Sequence, residues 1–250
     1  MTDNTPRVES FFSGVFVDLW RDIMPEAVTR QEAAFLETEL ALSPGAKVLD
    51  VPCGSGRHSV ALASRGYQLT SVDLSSYSLD QARQSAAQNS LAVRFEHRDM
   101  ADLPWPQSFD AAFSMGNSFG YTSDDHDRAF LAAVAQSLKP GGRFILDYGA
   151  TAEALFPTFQ PRTWAQVGDI LFLRDARYNV DAGRVETDYT LIREGVRESK
   201  SWSQRVYTYR QLHDLVLSAG FTDLHPCASL AKDPFKLGAR QLLLLATNRP

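Results

Sequence analysis

Three aspartates and two glycines carry the residue types and spacing for chemistry. Asp50 closes the apolar run KVLD, Asp73 closes YQLTSVD, and Asp99 closes AVRFEHRD. Between the first two lies CGSGRH, whose Gly54 and Gly56 lack a Cβ and let backbone come close to a ligand. A carboxylate at the base of such a turn repels a pyrophosphate and suits a ligand that is positively charged on that side. An acid about 20 residues beyond a glycine turn typically takes ribose hydroxyls. Three acids at three successive strand ends suit a nucleoside with a cationic arm.

The elements that must position these residues alternate. KVLDV, YQLTSVDL, AVRFEHRD, SFDAAFSMG and RFILDYG read as strands, and HSVALASRG, SSYSLDQARQSAAQN and SDDHDRAFLAAVAQSLKPGG read as helices between them. Serines stand ready to cap the second helix, and Ser/Asp at the start and Pro-Gly-Gly at the end bound the third. This rhythm predicts an α/β fold, Rossmann-like and doubly wound, with a mostly parallel sheet and ligands at the carboxyl ends of its strands. After Thr151 the rhythm changes. DILFLRDARYNV and RVETDYTLI flank a DAGR turn, ESKSWSQRVYTY follows, and RQLHDLVLSAGF and ARQLLLLATN return to helix and strand. The expected organisation is an N-terminal helical lid (1–45), a core (46–155), an inserted antiparallel β cover (156–209) and a completion of the core (210–250), giving seven strands in the main sheet. The cover either closes the pocket or forms a homodimer interface.

Composition narrows the function. The chain has 250 residues, a net charge of −5, and 44% hydrophobic residues. The basic footprint of a nucleic-acid binder is absent overall. No apolar run approaches the roughly 18 residues of a membrane span, and MTDNTPRVES lacks a leader pattern, so a cytoplasmic protein is expected. Cys53 and Cys227 fall in no metal or redox pattern, and a small residue fitting a crowded loop is the expectation for Cys53. SDDHDR reads as a solvated helix start rather than a metal site. A dinucleotide fingerprint fails because Ser59 occupies the third glycine position, and no GK[ST] follows for a Walker-type loop.

S-adenosylmethionine (SAM) has the form the acids require: ribose, adenine, a sulfonium, an ammonium and no phosphate. Here the sequence resembles the class I SAM-dependent methyltransferases of small-molecule type. VLDVPCGSG, SVDLS, RDMADLPW, FDAAFSMGNSFGY and LKPGGRFIL match that family in order and spacing across Val48 to Leu146. TRQEAAFL and YTYRQLHDLVLSAGF resemble members with an antiparallel cover. Pro52 departs from the family's glycine or alanine and has no N–H to offer.

The resemblance implies roles. Asp50 with the Cys53, Gly54 and Gly56 backbone would hold the methionine portion, and Arg30 its carboxylate. Asp73 would take the ribose, Leu74 the adenine face, Asp99 the adenine amino group with Met100 supplying a backbone contact, and Met115 the sulfonium region. Asn117, Phe119 and Tyr121 would line the donor side. Trp202 and Tyr207, with Trp164 and Tyr178, would belong to the cover. Trp20 lies over the pocket or in ordinary packing. Candidates for a base, if one is needed, are Tyr121, His126, Asp147 and Tyr148. The implied reaction is methyl transfer to a small-molecule N or O nucleophile, leaving S-adenosylhomocysteine (SAH). A nicotinamide-dependent oxidoreductase and a non-catalytic SAM-binding protein are the alternatives.

Overall fold

The computed structural model describes residues 10–249; the polar N-terminal stretch read above for a leader lies almost wholly outside them. Two helices lead, α1 (Val15–Ile23) and α2 (Glu26–Glu39). The doubly wound unit follows as β1 (Lys47–Asp50), α3 (Arg57–Ala63), β2 (Gln68–Asp73), α4 (Ser76–Gln88), β3 (Arg94–His97), β4 (Phe109–Ser114), α5 (Asp124–Ser137) and β5 (Leu138–Tyr148). A short helix α6 (Ala152–Leu155) leads to β6 (Arg162–Val167), β7 (Ile170–Asn179), β8 (Arg184–Arg193) and β9 (Val196–Arg205). The chain ends with α7 (Tyr209–Ser218), β10 (Phe221–Cys227) and β11 (Leu242–Asn248).

The main sheet has seven strands in the order β10-β11-β5-β4-β1-β2-β3. β5, β4, β1, β2 and β3 run parallel, and β11 is antiparallel to both neighbours, so it alone is reversed. The strand order turns outward on either side of β1 and β4, and that reversal is where open α/β sheets bind ligands. β1 and β4 are buried almost throughout, the pattern of strands covered by helices on both faces. One face packs on α5 and α7 through Phe130, Leu131, Leu212 and Val216; the other packs on α2 and α3 through Phe35, Leu36 and Leu62.

Local chemistry fixes the element ends. The Ser75 and Ser123 side chains accept from backbone N–H groups at the starts of α4 and α5, and Thr208 with Gln211 forms a capping box on α7. One boundary differs from expectation. LKPGG does not extend α5; Leu138 already pairs with Phe109 in the sheet. Pro140 disfavours helix at Lys139 and cannot donate within one, so the helix stops at Ser137.

The strands after Thr151 form a separate four-stranded antiparallel sheet, β6-β7-β8-β9. β7 and β8 join through a turn ending at Gly183, whose φ of 61° suits glycine. The expected three segments gain a fourth, β6, paired along its length with β7. One face of this sheet meets the N-terminal segment in an aromatic cluster of Phe11, Phe16, Trp202 and Tyr189. No helix among the described residues is long and apolar enough to cross a membrane.

Candidate active site

The glycine turn leaves β1 at Asp50, and its amides are turned inward. Cys53 N–H donates to Val72 O at 2.8 Å, Gly54 N–H to Asp73 Oδ2 at 2.7 Å, and Gly56 N–H to Cys53 O at 3.0 Å. A pyrophosphate needs free amides at this place, and the nicotinamide alternative finds none on these three residues. The two glycines do different work. A Cβ on Gly54 would meet nothing within 4 Å, so that side is open. A Cβ on Gly56 would come within 2.8 Å of Ala82 Cβ. Gly56 therefore lets α3 and α4 approach each other.

A cavity of about 730 Å³, including its mouth, lies over this turn at the carboxyl ends of the strands. Gly54, Asp73, Leu74, Asp99, Met100 and Pro52 line it. Tyr121, His126 and Trp202 line it as well. Both oxygens of Asp73 already accept one amide each, Gly54 N–H and Ser75 N–H (2.8 Å), which holds the carboxylate at the end of β2. A carboxylate oxygen accepts two bonds, so each retains capacity for a ribose hydroxyl. Asp99 Oδ1 accepts from Ala101 N–H at 2.8 Å and lies 2.7 Å from His126 Nε2. With Leu74 and Met100 supplying apolar surface, this set of acceptors fits the hydroxyls of a ribose and the amino group of adenine.

Other expected residues lie elsewhere. Arg30 is exposed and pairs with Glu26 at 2.5 Å, away from the cavity lining. Asp50, Cys53 and Met115 are buried beneath the turn without lining the cavity. Asp50 accepts from Ser59 Oγ at 2.5 Å, and Ser71 Oγ donates to that Ser59 oxygen at 2.8 Å. Phe119 is fully buried and packs between Phe130, Tyr148 and Tyr207, so it serves the core rather than an acceptor. The Tyr148 hydroxyl donates to Arg205 O. That bond and full burial leave it no route to an acceptor. Asp147 accepts from Gly116 N–H at 3.0 Å. Asn117 Oδ1 accepts from Gly149 N–H and Gln204 Nε2, which ties β9 to the sheet edge instead of lining the pocket. Trp20 is 41% exposed and packs edge-on against Phe16 and Phe172, settling its alternative in favour of packing. Trp164 is 73% exposed and Tyr178 packs on Phe156, so neither reaches the cavity.

Sequence reasoning missed Phe12 and Asp127, both lining the cavity. Asp127 is 1% exposed, which corrects the solvated reading of SDDHDR at that residue. Its Oδ2 accepts from the Tyr207 hydroxyl at 2.9 Å, giving Tyr207 a supporting place behind the wall. The signal was the i, i+3 spacing to Phe130 and Leu131's face, which turns Asp127 inward. No group of residues among those described has the arrangement to hold a metal ion.

Burial dominates the electrostatics. It raises Asp50 to about 7, with Asp73 adding repulsion, and raises Asp127 and Asp147 to about 6. Burial also pushes both thiols up, and both cysteines are free. Glu32 is the exception: burial would raise it, but His58 and Arg57, both hydrogen-bonded to its carboxylate, hold it at about 2. The bond to Asp99 raises His126, and His126 in turn outweighs burial to lower Asp99. The site is therefore rich in carboxylates, and no lysine or arginine among the described residues lines the cavity.

Residues 48–142 match the family described as the methyltransferase domain. A demethylmenaquinone methyltransferase from Deinococcus radiodurans is 36% identical over 165 residues, which cover 62% of this chain and 65% of that protein. The chain thus spans a little under two thirds of the length of that relative. The structure of the CcbJ methyltransferase from Streptomyces caelestis superposes with a TM-score of 0.83 at 19% identity, covering 96% of this chain and 98% of that one. A SAM-bound amino pentose methyltransferase from Micromonospora echinaspora gives 0.71 at 19% identity, covering 94% and 97%. At such identities the likeness is one of fold. Fold and sequence together define a Rossmann-like methyltransferase domain. The family match thus spans residues 48–142, inside a Rossmann-like fold shared with those structures.

Proposed function

We propose that this protein is a SAM-dependent methyltransferase acting on a nitrogen or oxygen of a small molecule. The observation that carries the proposal is Asp73, a carboxylate fixed by two amides at a strand end, facing a cavity beside a glycine turn whose Cys53, Gly54 and Gly56 amides are already bonded within the protein. When bound, SAM supplies a methyl group on a sulfonium, open to direct displacement by a lone pair with the bonding electrons returning to sulfur.

The chain's own residues bind, orient and exclude water. Asp73 accepts the ribose hydroxyls and Asp99 the adenine amino group. Leu74 and Met100 pack on the base, and the buried carboxylate of Asp50 favours the positive methionine end through the turn. Phe12, Tyr121 and Trp202 form an aromatic group in the wall, with ring centroids 5.8 to 6.0 Å apart, that shields the reacting atoms. Where the acceptor must lose a proton, Asp127, held by Tyr207 and titrating at about 6, lines the cavity to take it. The acidic wall favours a neutral or cationic acceptor over a phosphate or nucleic acid. The cytoplasmic setting and the division into lid, core, cover and completion belong to the same proposal.

The test is incubation with SAM carrying a tritiated methyl group and a panel of small amines, phenols, carboxylates and oligonucleotides. Label transferred to an amine or hydroxyl compound is expected. Label confined to an oligonucleotide or a protein contradicts the small-molecule reading.

A further inference from the structure

His126 stands at the first turn of α5, where Ser123 already caps the helix by accepting its backbone N–H at 3.2 Å. Its ring is thus not needed for capping. Among the described residues the ring's one polar contact is Nε2 to Asp99 Oδ1 at 2.7 Å, and Nδ1 is buried with no hydrogen-bond partner. A residue serving only the helix start would avoid leaving a buried nitrogen unsatisfied. The same Asp99 oxygen also accepts from Ala101 N–H at 2.8 Å. Two donors from two elements, the β3–β4 connection and α5, therefore hold Oδ1, and no described residue bonds Oδ2. Asp99 and His126 both line the cavity. A carboxylate pinned at one oxygen presents the other in a fixed direction, where it accepts from an amino group and repels a carbonyl oxygen.

We infer that His126 is a positioning residue for base recognition: with the Ala101 amide it aims the free oxygen of Asp99 at the exocyclic amino group of adenine, making the site select a 6-amino over a 6-oxo purine nucleoside. The inference rests on the SAM reading of the cavity.

The test compares SAH with its deaminated analogue, S-inosylhomocysteine, by calorimetry on wild-type protein, His126→Ala, His126→Phe and His126→Gln. Phe keeps the ring volume without the donor, and Gln keeps a donor. Wild-type protein is expected to prefer SAH by at least about tenfold, the value of one charge-assisted hydrogen bond. Ala and Phe should each weaken SAH by about tenfold while leaving the inosyl analogue within about twofold, and Gln should restore part of the preference. Folding is checked by circular dichroism, and either donorless variant that folds carries the test. Equal losses for both nucleosides, or an unchanged preference, overturn the inference alone. Wild-type protein that binds neither nucleoside overturns the SAM reading and the inference together.

Discussion

Asp50→Asn should make the ligand-free protein more stable above neutral pH while weakening its hold on SAM. Asp50 is 1% exposed, and Ser59 Oγ is its hydrogen-bond donor. Burial, reinforced by the neighbouring Asp73 charge, lifts its pKa from 3.8 to about 7. The unfolded chain releases this proton near 3.8, whereas the folded chain holds it to about 7. The native state therefore binds more protons between those values, and stability falls as pH rises from about 4 to 7, then levels. A shift of this size corresponds to at most about 4 kcal/mol, and about 2 kcal/mol is a realistic share after structural relaxation. Asn keeps an acceptor for Ser59 and removes the ionisation, so the variant should lack that part of the fall. For a chain of this length about 2 kcal/mol is roughly 4–8 °C in Tm. Asp127 and Asp147, both near 6, slope the same way in both proteins, so the difference between the two melting curves isolates Asp50. Thermal melts of both proteins at pH 5 and pH 8 make the measurement. Parallel pH dependences would refute the claim that Asp50 carries an ionisation cost in the fold. A binding site that prefers a cation supplies the reason to retain such a group, since a bound positive charge offsets the cost.

Three further outcomes follow from single contacts. Tyr207→Phe removes the donor to buried Asp127 and should cost about 1–3 kcal/mol in urea unfolding; a loss under about 0.5 kcal/mol would mean the bond carries no weight. Glu32→Gln removes the carboxylate shared by Arg57 and His58. Because Glu32 is depressed from 4.5 to about 2, its contribution is present above pH 4.5 and lost as pH falls toward 2, so the variant should lose less stability between pH 6 and 3 than wild type. Urea midpoints at those two pH values decide it, and an unchanged acid loss counts against the shared ion pair. Lys200→Met removes an ammonium that donates to Ser10 O, Phe11 O and Ser13 O at 3.0, 2.8 and 2.6 Å. Limited proteolysis should then cut near residues 10–13 faster than in wild type, and SAH should dissociate faster because Phe12 belongs to the cavity wall. Unchanged rates of both would show that the segment is held by its aromatic packing alone.

The parallel core was legible because most of its strands are apolar-rich runs closed by an acid or a glycine, and each helix between them has a start or stop signal. Asp73 and Asp99 were legible for the same reason: strand ends place residues at one edge whatever the loops do. Residues that depend on side-chain direction were not. Phe119 and Tyr121 are two apart in NSFGY, and backbone turns at Asn117 and Gly120, both with positive φ, send one into the core and leave the other in the cavity wall. Asp127 carries a charge that hides its inward position in the sequence. Arg30 and Arg57 illustrate a choice made by packing: Arg30 faces solvent on α2, while Arg57 reaches back to Thr29 and Glu32 on the same helix. In the cover, Trp164 and Trp202 have the same composition and strand context, yet one is exposed and the other lines the cavity, because the sheet buries one face only.

The central claim is that the cavity at the end of β1 and β2 takes a phosphate-free nucleoside with a cationic arm, held by Asp73. Calorimetric titration of the full chain and of Asp73→Ala with SAM, SAH, NADH and NADPH tests it most directly. Binding of SAM and SAH by the wild-type protein is predicted, with about a hundredfold weakening in the variant from the loss of two charge-assisted hydrogen bonds and no heat from the nicotinamide nucleotides. Binding of a nicotinamide nucleotide instead, or SAM affinity unchanged by Asp73→Ala, would contradict the account.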